Sequence, residues 1–201
     1  MACDNTAFNF LPLLPLSKEN KGGNGTEYSK IMLRSMKSTD IDLIQEFLKS
    51  NFPITYSSSF WLQFIFAKGH YCQCAIDLPS RQIIAVVAGN VMPGLANPAG
   101  KWTGQVMVLA VHHGHRREGL GCRLLRRLES EFCCHIVREQ SRQNNGSSHN
   151  INNNTIFLTV ASKNTGAISF YQSQGYEFEK LATSYYGRLN HGQVMSKQLC
   201  V

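Results

Sequence analysis

The chain has 201 residues, 43% of them hydrophobic and 16% charged, with a formal net charge of +7. That length and balance are ordinary for one globular domain with a sizeable core, and the positive excess suits an anionic partner such as a phosphorylated cofactor or RNA. Its 7 cysteines are odd in number and include no Cys-x-x-Cys pair, which argues against a disulfide framework and against a zinc site, and points to a reducing, cytoplasmic or nuclear setting.

Residues 1–29 lack periodicity and read as a flexible leader, with Lys21 to Thr26 rich in glycine. Within it, Phe10 to Leu16 is apolar but short and twice interrupted by proline, so it is neither a secretory signal nor a membrane span. A single domain is expected over residues 30–201. It opens with a short strand at Ile31–Arg34, and Ser38-Thr39-Asp40 then starts a helix with Ile41, Ile44, Phe47 and Leu48 on one face. Phe52-Pro53-Ile54-Thr55-Tyr56 breaks that helix and leads into a second one, Ser58 to Ala67. Tyr71–Ile76 and Gln82–Met92 read as antiparallel strands, followed by a turn-rich connection and a strand at 104–111.

From residue 120 a long amphipathic helix is expected. Leu120, Leu124, Leu128, Phe132 and Ile136 recur every fourth position, with Leu125, Cys122 and Cys133 placed on the same apolar side. Residues 143–155 are asparagine-rich and read as a disordered loop. Ile156–Val160 is a strand, Asn164–Gln174 a helix stopped by Gly175, and Tyr176–Lys180 and Gln193–Leu199 are the last strands, joined through Tyr185-Tyr186-Gly187. This order describes an α/β mixed sheet with helices on both faces.

The most informative stretch is the strand ending at Val111 and the run Arg116-Arg117-Glu118-Gly119-Leu120-Gly121 before the long helix. Glycines let backbone approach an anion, and the free N–H groups and dipole of a helix's first turn attract it. Basic residues are densest at 115–127, beside those glycines. The third glycine of a dinucleotide fingerprint is missing, and so is the Gly-Lys-Ser/Thr of a Walker loop.

Together with Leu158-Thr159-Val160, Asn164, Ala167, Phe170-Tyr171 and Gly175-Tyr176, this cradle resembles the paired motifs of GNAT-fold acetyltransferases. Phe52 to Tyr56 and Tyr185-Tyr186-Gly187-Arg188 are most similar to the peptide-binding loops of N-terminal acetyltransferases of the NatE catalytic-subunit type. The resemblance implies a GNAT fold and acetyl-CoA as cofactor. Leu109, Ala110 and Val111 would flank its pantetheine arm. Arg116, Arg117, Glu118, Gly119, Leu120, Gly121 and Cys122 would hold its phosphates, and Asn164, Ala167 and Tyr171 would line its other side. It further implies that Phe52, Pro53, Ile54, Tyr56 and Met107 receive a protein N-terminus, usually methionine, and that Tyr185 and Tyr186 bond its backbone. Tyr171 would protonate or hydrogen-bond the leaving sulfur, and a backbone N–H near Val111 would polarise the carbonyl.

One departure stands out. The family's tyrosine and histidine, which drain the amine proton, are replaced by Gln105 and Thr159, neither of which is a base at neutral pH. The favoured reading is a weak or differently wired NatE-like N-terminal acetyltransferase. The alternative is a catalytically silent NatE-like subunit bound to a large scaffold partner near the ribosome. A small-amine acetyltransferase fits less well, because Asp77, Glu177 and Glu179 are too scattered to form an acidic pocket. No metal, membrane or specific DNA partner is expected.

Overall fold

In the computed structural model, which describes residues 30–50, 55–94, 101–143 and 154–199, seven strands form one sheet. The strands are β1 (Ile31–Ser35), β2 (His70–Asp77), β3 (Ile83–Pro93), β4 (Trp102–Val111), β5 (Thr155–Ala161), β6 (Glu177–Ala182) and β7 (Gly192–Gln198). Their spatial order is β1-β2-β3-β4-β5-β7-β6, and every pairing is antiparallel except β4 with β5. The helices are α1 (Ile41–Lys49), α2 (Ser58–Phe66), α3 (Leu120–Gln143) and α4 (Thr165–Ser173). The expected leader, Phe52-Pro53-Ile54 and nearly all of the asparagine-rich loop lie outside the described residues.

Helices cover both faces, as the element order predicts. Leu120, Leu124, Leu125, Leu128, Phe132 and Ile136 of α3 are at most 1% exposed, and they form one core with Tyr171 of α4 and the sheet face beneath. The approach is close because the sheet carries glycine there: a Cβ on Gly104 would lie 2.6 Å from the Phe132 ring. Ile44, Phe47 and Leu48 of α1 pack with Trp61 and Phe64 of α2 in a second core on the opposite face. Cys122 and Cys133 are partly buried on α3, with Cys133 packed against its core as the apolar stripe implies, and Cys72 and Cys74 of β2 are buried.

Local signals explain the helix ends. Ser57 accepts from the Phe60 N–H at 3.2 Å and caps α2. Asn164 accepts from the Ala167 N–H at 3.1 Å and caps α4. That helix ends at Gly175, whose φ of +85° suits glycine. Arg34 holds Asp40 through a bidentate pair of 2.6 and 2.9 Å, which fixes the entry into α1.

The feature that positions the site is a bulge in β4. Ala88 pairs with Val108, but Gly89 pairs with Val106, so Met107 is an extra residue. Before the bulge Val106 faces the α3 core. After it Val108 and Ala110 face the α1–α2 core, while Leu109 and Val111 pack on the α3 side.

Candidate active site

β4 and β5 run parallel only as far as Val106 and Leu158. Beyond that point β5 continues alongside β7 to Ala161, and β4 continues alongside β3 to Val111. The two strands therefore part at the bulge and open a cleft toward their C-terminal ends. His112 donates to the Ile84 carbonyl at 2.8 Å, so alternation along an antiparallel ladder turns Ala110 toward β3 and the N–H and C=O groups of Leu109 and Val111 toward the cleft. Two of the three expected cofactor-wall residues thus turn their backbone groups out of the sheet toward the cleft. Ala110 instead points its backbone into the sheet and its side chain into the α1–α2 core.

At the open end of the cleft the chain turns into α3. Arg117 has φ +67° and Gly119 φ +76°. These left-handed residues curl the backbone ahead of the first-turn N–H groups of α3, a concave arrangement suited to an anion. A Cβ on Gly119 would meet nothing within 4 Å, and one on Gly121 would stand 3.6 Å from both Val111 and Phe170. The cradle is thus open where a phosphate must approach, and the residues present fit the phosphate and strand-like arm of acetyl-CoA.

The other expected cradle residues divide by role. Leu120 is 1% exposed and contributes side-chain packing. Glu118 stands 3.5 Å from the His115 imidazole. The Cys122 thiol donates to Gln174 at 2.9 Å, joining α3 to the end of α4. The Arg116 Nε donates to the Val111 carbonyl at 3.1 Å, so this arginine lies along the very edge that a pantetheine arm needs. On the α4 side, the oxygen of Asn164 and the N–H of Ala167 are engaged with each other as the helix cap.

The acceptor side is the α1–α2 face of the same parting. Gln105 lies on it, opposite in direction to Gly104, and Thr159 lies on it between Leu158 and Val160, which enter the α3 core. Tyr186 donates to the Thr159 carbonyl at 2.7 Å. Tyr185 and Tyr186 have ring centroids 4.9 Å apart. Burial, with Tyr185 and Tyr56 nearby, pushes the Tyr186 hydroxyl up to about 12, and burial beside Tyr185 also raises Tyr56. Burial likewise raises Tyr171, with Tyr186 adding to it. Tyr56, Tyr171, Tyr185 and Tyr186, distant in sequence, therefore converge where β4 and β5 part. Met107 packs at the edge of the α1–α2 core on the same face. Phe52, Pro53 and Ile54 lie outside the described residues.

Sequence reading missed the bulge, because Val106 to Val111 is uniformly apolar and carries no glycine or polar break. It also missed Gln174 as the partner of Cys122 and Arg116 as the cap on Val111. Both contacts are made only after folding.

The profile of the acetyltransferase (GNAT) domain family matches residues 70–178, more than half of the chain. The chain belongs to this family. Its fold is that of solved N-terminal acetyltransferases, at low identity. Chaetomium thermophilum Naa20 in complex with a bisubstrate analogue is 22% identical, with a TM-score of 0.64 over 84% of this chain and 86% of that one. Arabidopsis thaliana Naa50 with the bisubstrate analogue CoA-Ac-MVNAL is 21% identical, with a TM-score of 0.60 over 84% and 98%. Arabidopsis thaliana NAA60 in complex with acetyl-CoA is 15% identical, with a TM-score of 0.64 over 84% and 98%. The likeness spans several N-terminal acetyltransferase types, so the narrower NatE assignment does not follow from it. No curated protein matches the sequence.

Among the described residues of this GNAT domain, no helix is long and apolar enough to cross a membrane, and no group of three or more His, Cys, Asp or Glu side chains is placed to hold a metal ion.

Proposed function

We propose that the chain transfers acetyl from acetyl-CoA to the α-amine of protein N-termini, with Met-starting termini preferred as in NatE-type enzymes. The observation that carries this reading is the meeting of Tyr56, Tyr185 and Tyr186 on the acceptor face of the cleft whose other side holds the glycine cradle. Acetyl-CoA, when bound, supplies an activated thioester. The chain's own residues then do the rest. Leu109 and Val111 offer strand-edge hydrogen bonds, Gly119 to Cys122 present helix N–H groups to phosphate, and an outward N–H of β4 stabilises the charge developing on the carbonyl oxygen. Arg116 must release Val111 for this edge to be used.

In this reading Tyr171 hydrogen-bonds the departing sulfur. Its raised value keeps the phenol protonated, so it serves as a donor throughout the neutral range. Because Gln105 and Thr159 are not bases, the amine must lose its proton elsewhere. For an α-amine with a pKa of about 7.7–8.0 that costs on the order of 1 kcal/mol at pH 7, against roughly 4.6 kcal/mol for a lysine at about 10.4. A site with weak base assistance therefore suits N-termini.

The replacements at Gln105 and Thr159 favour one second reading: a silent subunit that binds a scaffold near the ribosome and keeps the fold. The deciding experiment is transfer from labelled acetyl-CoA to a free-amine Met-Leu peptide, with an N-blocked, lysine-containing peptide as control. Turnover of the first alone supports the enzyme. Cofactor binding without turnover of either supports the silent subunit.

A further inference from the structure

The expected base positions on β4 and β5 hold an amide and a hydroxyl, but a histidine lies in the same row of the sheet. His70 on β2 pairs directly with Asn90 on β3, and Asn90 pairs directly with Gln105 on β4. Directly opposed residues share a face. Here it is the acceptor face: Gly89 and Gly104, the preceding residues on their strands, both turn toward Phe132 of α3, and the His70 ring lies 5.6 Å from Phe64 of α2. At about 5 Å per pair, His70 stands roughly 10 Å from Gln105.

Two further observations give this row a chemical sense. The Asn90 Oδ1 is buried and receives no hydrogen bond, a costly state for a carbonyl oxygen that marks a place for a missing donor. Asn90 also lines a cavity of about 280 Å³ shared with His70. The His70 Nδ1 lies 3.2 Å from the Lys68 carbonyl. A carbonyl only accepts, so Nδ1 carries the proton and Nε2 is left as the basic nitrogen.

We propose that His70 is the proton acceptor for the substrate ammonium, reached through water held by Gln105 and Asn90. The proposal rests on the acetyl-transfer reading above. The N–H bond of the ammonium breaks, its electron pair stays on nitrogen as the nucleophile, and the proton passes through water to His70 Nε2. From there it leaves to solvent in the adjoining cavity of about 300 Å³ that His70 also lines. The charged and titratable groups around that cavity are Lys68 from the preceding turn, Tyr71 from β2, and His135, Arg138, Glu139 and Arg142 from α3, with the Tyr71 hydroxyl 2.9 Å from His135 Nδ1. Glu139 is held by Lys68 at 2.9 Å and Arg142 at 2.7 Å.

The test compares the full chain with His70→Gln and Asn90→Ala on the free-amine Met-Leu peptide across pH 6 to 9. Circular dichroism and acetyl-CoA binding would establish that each variant is folded. His70→Gln should lower kcat/KM by about 10- to 100-fold near pH 7, with the deficit shrinking as the amine deprotonates by itself above pH 8, and added imidazole should restore part of the rate. Asn90→Ala should lose less, with the same pH dependence. Independently of turnover, the His70 imidazole 15N shifts should change with the free-amine peptide and not with an N-blocked one. A folded His70→Gln variant with wild-type rate and pH profile would overturn the relay alone. A wild-type chain that binds acetyl-CoA and turns over no N-terminal peptide would overturn the acetyl-transfer reading, and the relay with it.

Discussion

The Tyr186 hydroxyl donates to the Thr159 carbonyl at 2.7 Å and so ties the β6–β7 connection to β5 where that strand leaves β4. A phenol pushed up to about 12 stays a donor throughout the physiological range and does not act as a base. Tyr186→Phe should therefore leave the pH profile of transfer unchanged. Losing one half-buried hydrogen bond should cost about 1 kcal/mol of stability, seen as a Tm lower by a few degrees. A loosened acceptor loop should also raise the KM for the Met-Leu peptide several-fold while the KM for acetyl-CoA holds. Steady-state kinetics in both substrates checks this, and an equal rise in both KM values would count against it.

The two cradle glycines should respond in opposite ways. Gly119 has φ +76° with open space around a Cβ, so Gly119→Ala meets no clash and suffers only the backbone penalty, about 1–2 kcal/mol. Gly121 sits in α3, and its Cβ would make ordinary contacts at 3.6 Å with Val111 and Phe170. Gly121→Ala should therefore hold or raise Tm, since helical Gly→Ala gains about 0.5–1 kcal/mol. The same methyl stands between the two walls of the cofactor cleft and should weaken acetyl-CoA binding at least tenfold. Calorimetric titration beside thermal unfolding separates the effects, and unchanged binding by the Gly121 variant would remove this glycine from the site.

Much of this arrangement was legible before folding, for physical reasons that differ by residue. Leu120 to Ile136 announces α3 because burying one stripe needs a helical period, and Asn164 and Gly175 announce α4 because capping and left-handed backbone restrict the residue type. The Arg-x-x-Gly-x-Gly run announces the cradle because backbone must approach phosphate. The bulge at Met107 was not legible, since an extra residue in an apolar strand leaves the composition unchanged and reveals itself only in the register with β3. The row His70–Asn90–Gln105 was hidden for the same reason: three strands must be aligned before it exists.

Asp40 is 4% exposed, and its carboxyl is held below its ordinary value, first by hydrogen bonding to Arg34 and further by the Lys37 N–H. A lowered folded value means that this stabilisation is complete above the unfolded pKa of about 3.9 and fades as pH falls through the folded value. Asp40→Asn should cost about 2 kcal/mol at pH 7, and the gap to wild type should close as pH falls below about 4. Thermal unfolding of both proteins from pH 2.5 to 7 tests this. A gap that persists at the lowest pH would place the loss in packing and not in the charge.

Tyr171 is 9% exposed, and burial raises its hydroxyl far above the ordinary phenol value. A thiol titrates near about 8.5, so full proton transfer from this phenol to a departing thiolate runs uphill, and the hydroxyl stabilises the sulfur as a hydrogen-bond donor. Such a bond to charge developing in the transition state is worth about 1.5–3 kcal/mol, or roughly 10- to 150-fold in rate. Tyr171→Phe should lower kcat by that range and leave the acetyl-CoA dissociation constant within twofold, because the ring packing in the α3–α4 core is retained. An activated thioester whose leaving thiolate is already stable should be much less sensitive to the substitution than acetyl-CoA. If both donors lose rate equally, Tyr171 acts through packing alone, and the sulfur must find its hydrogen-bond donor elsewhere.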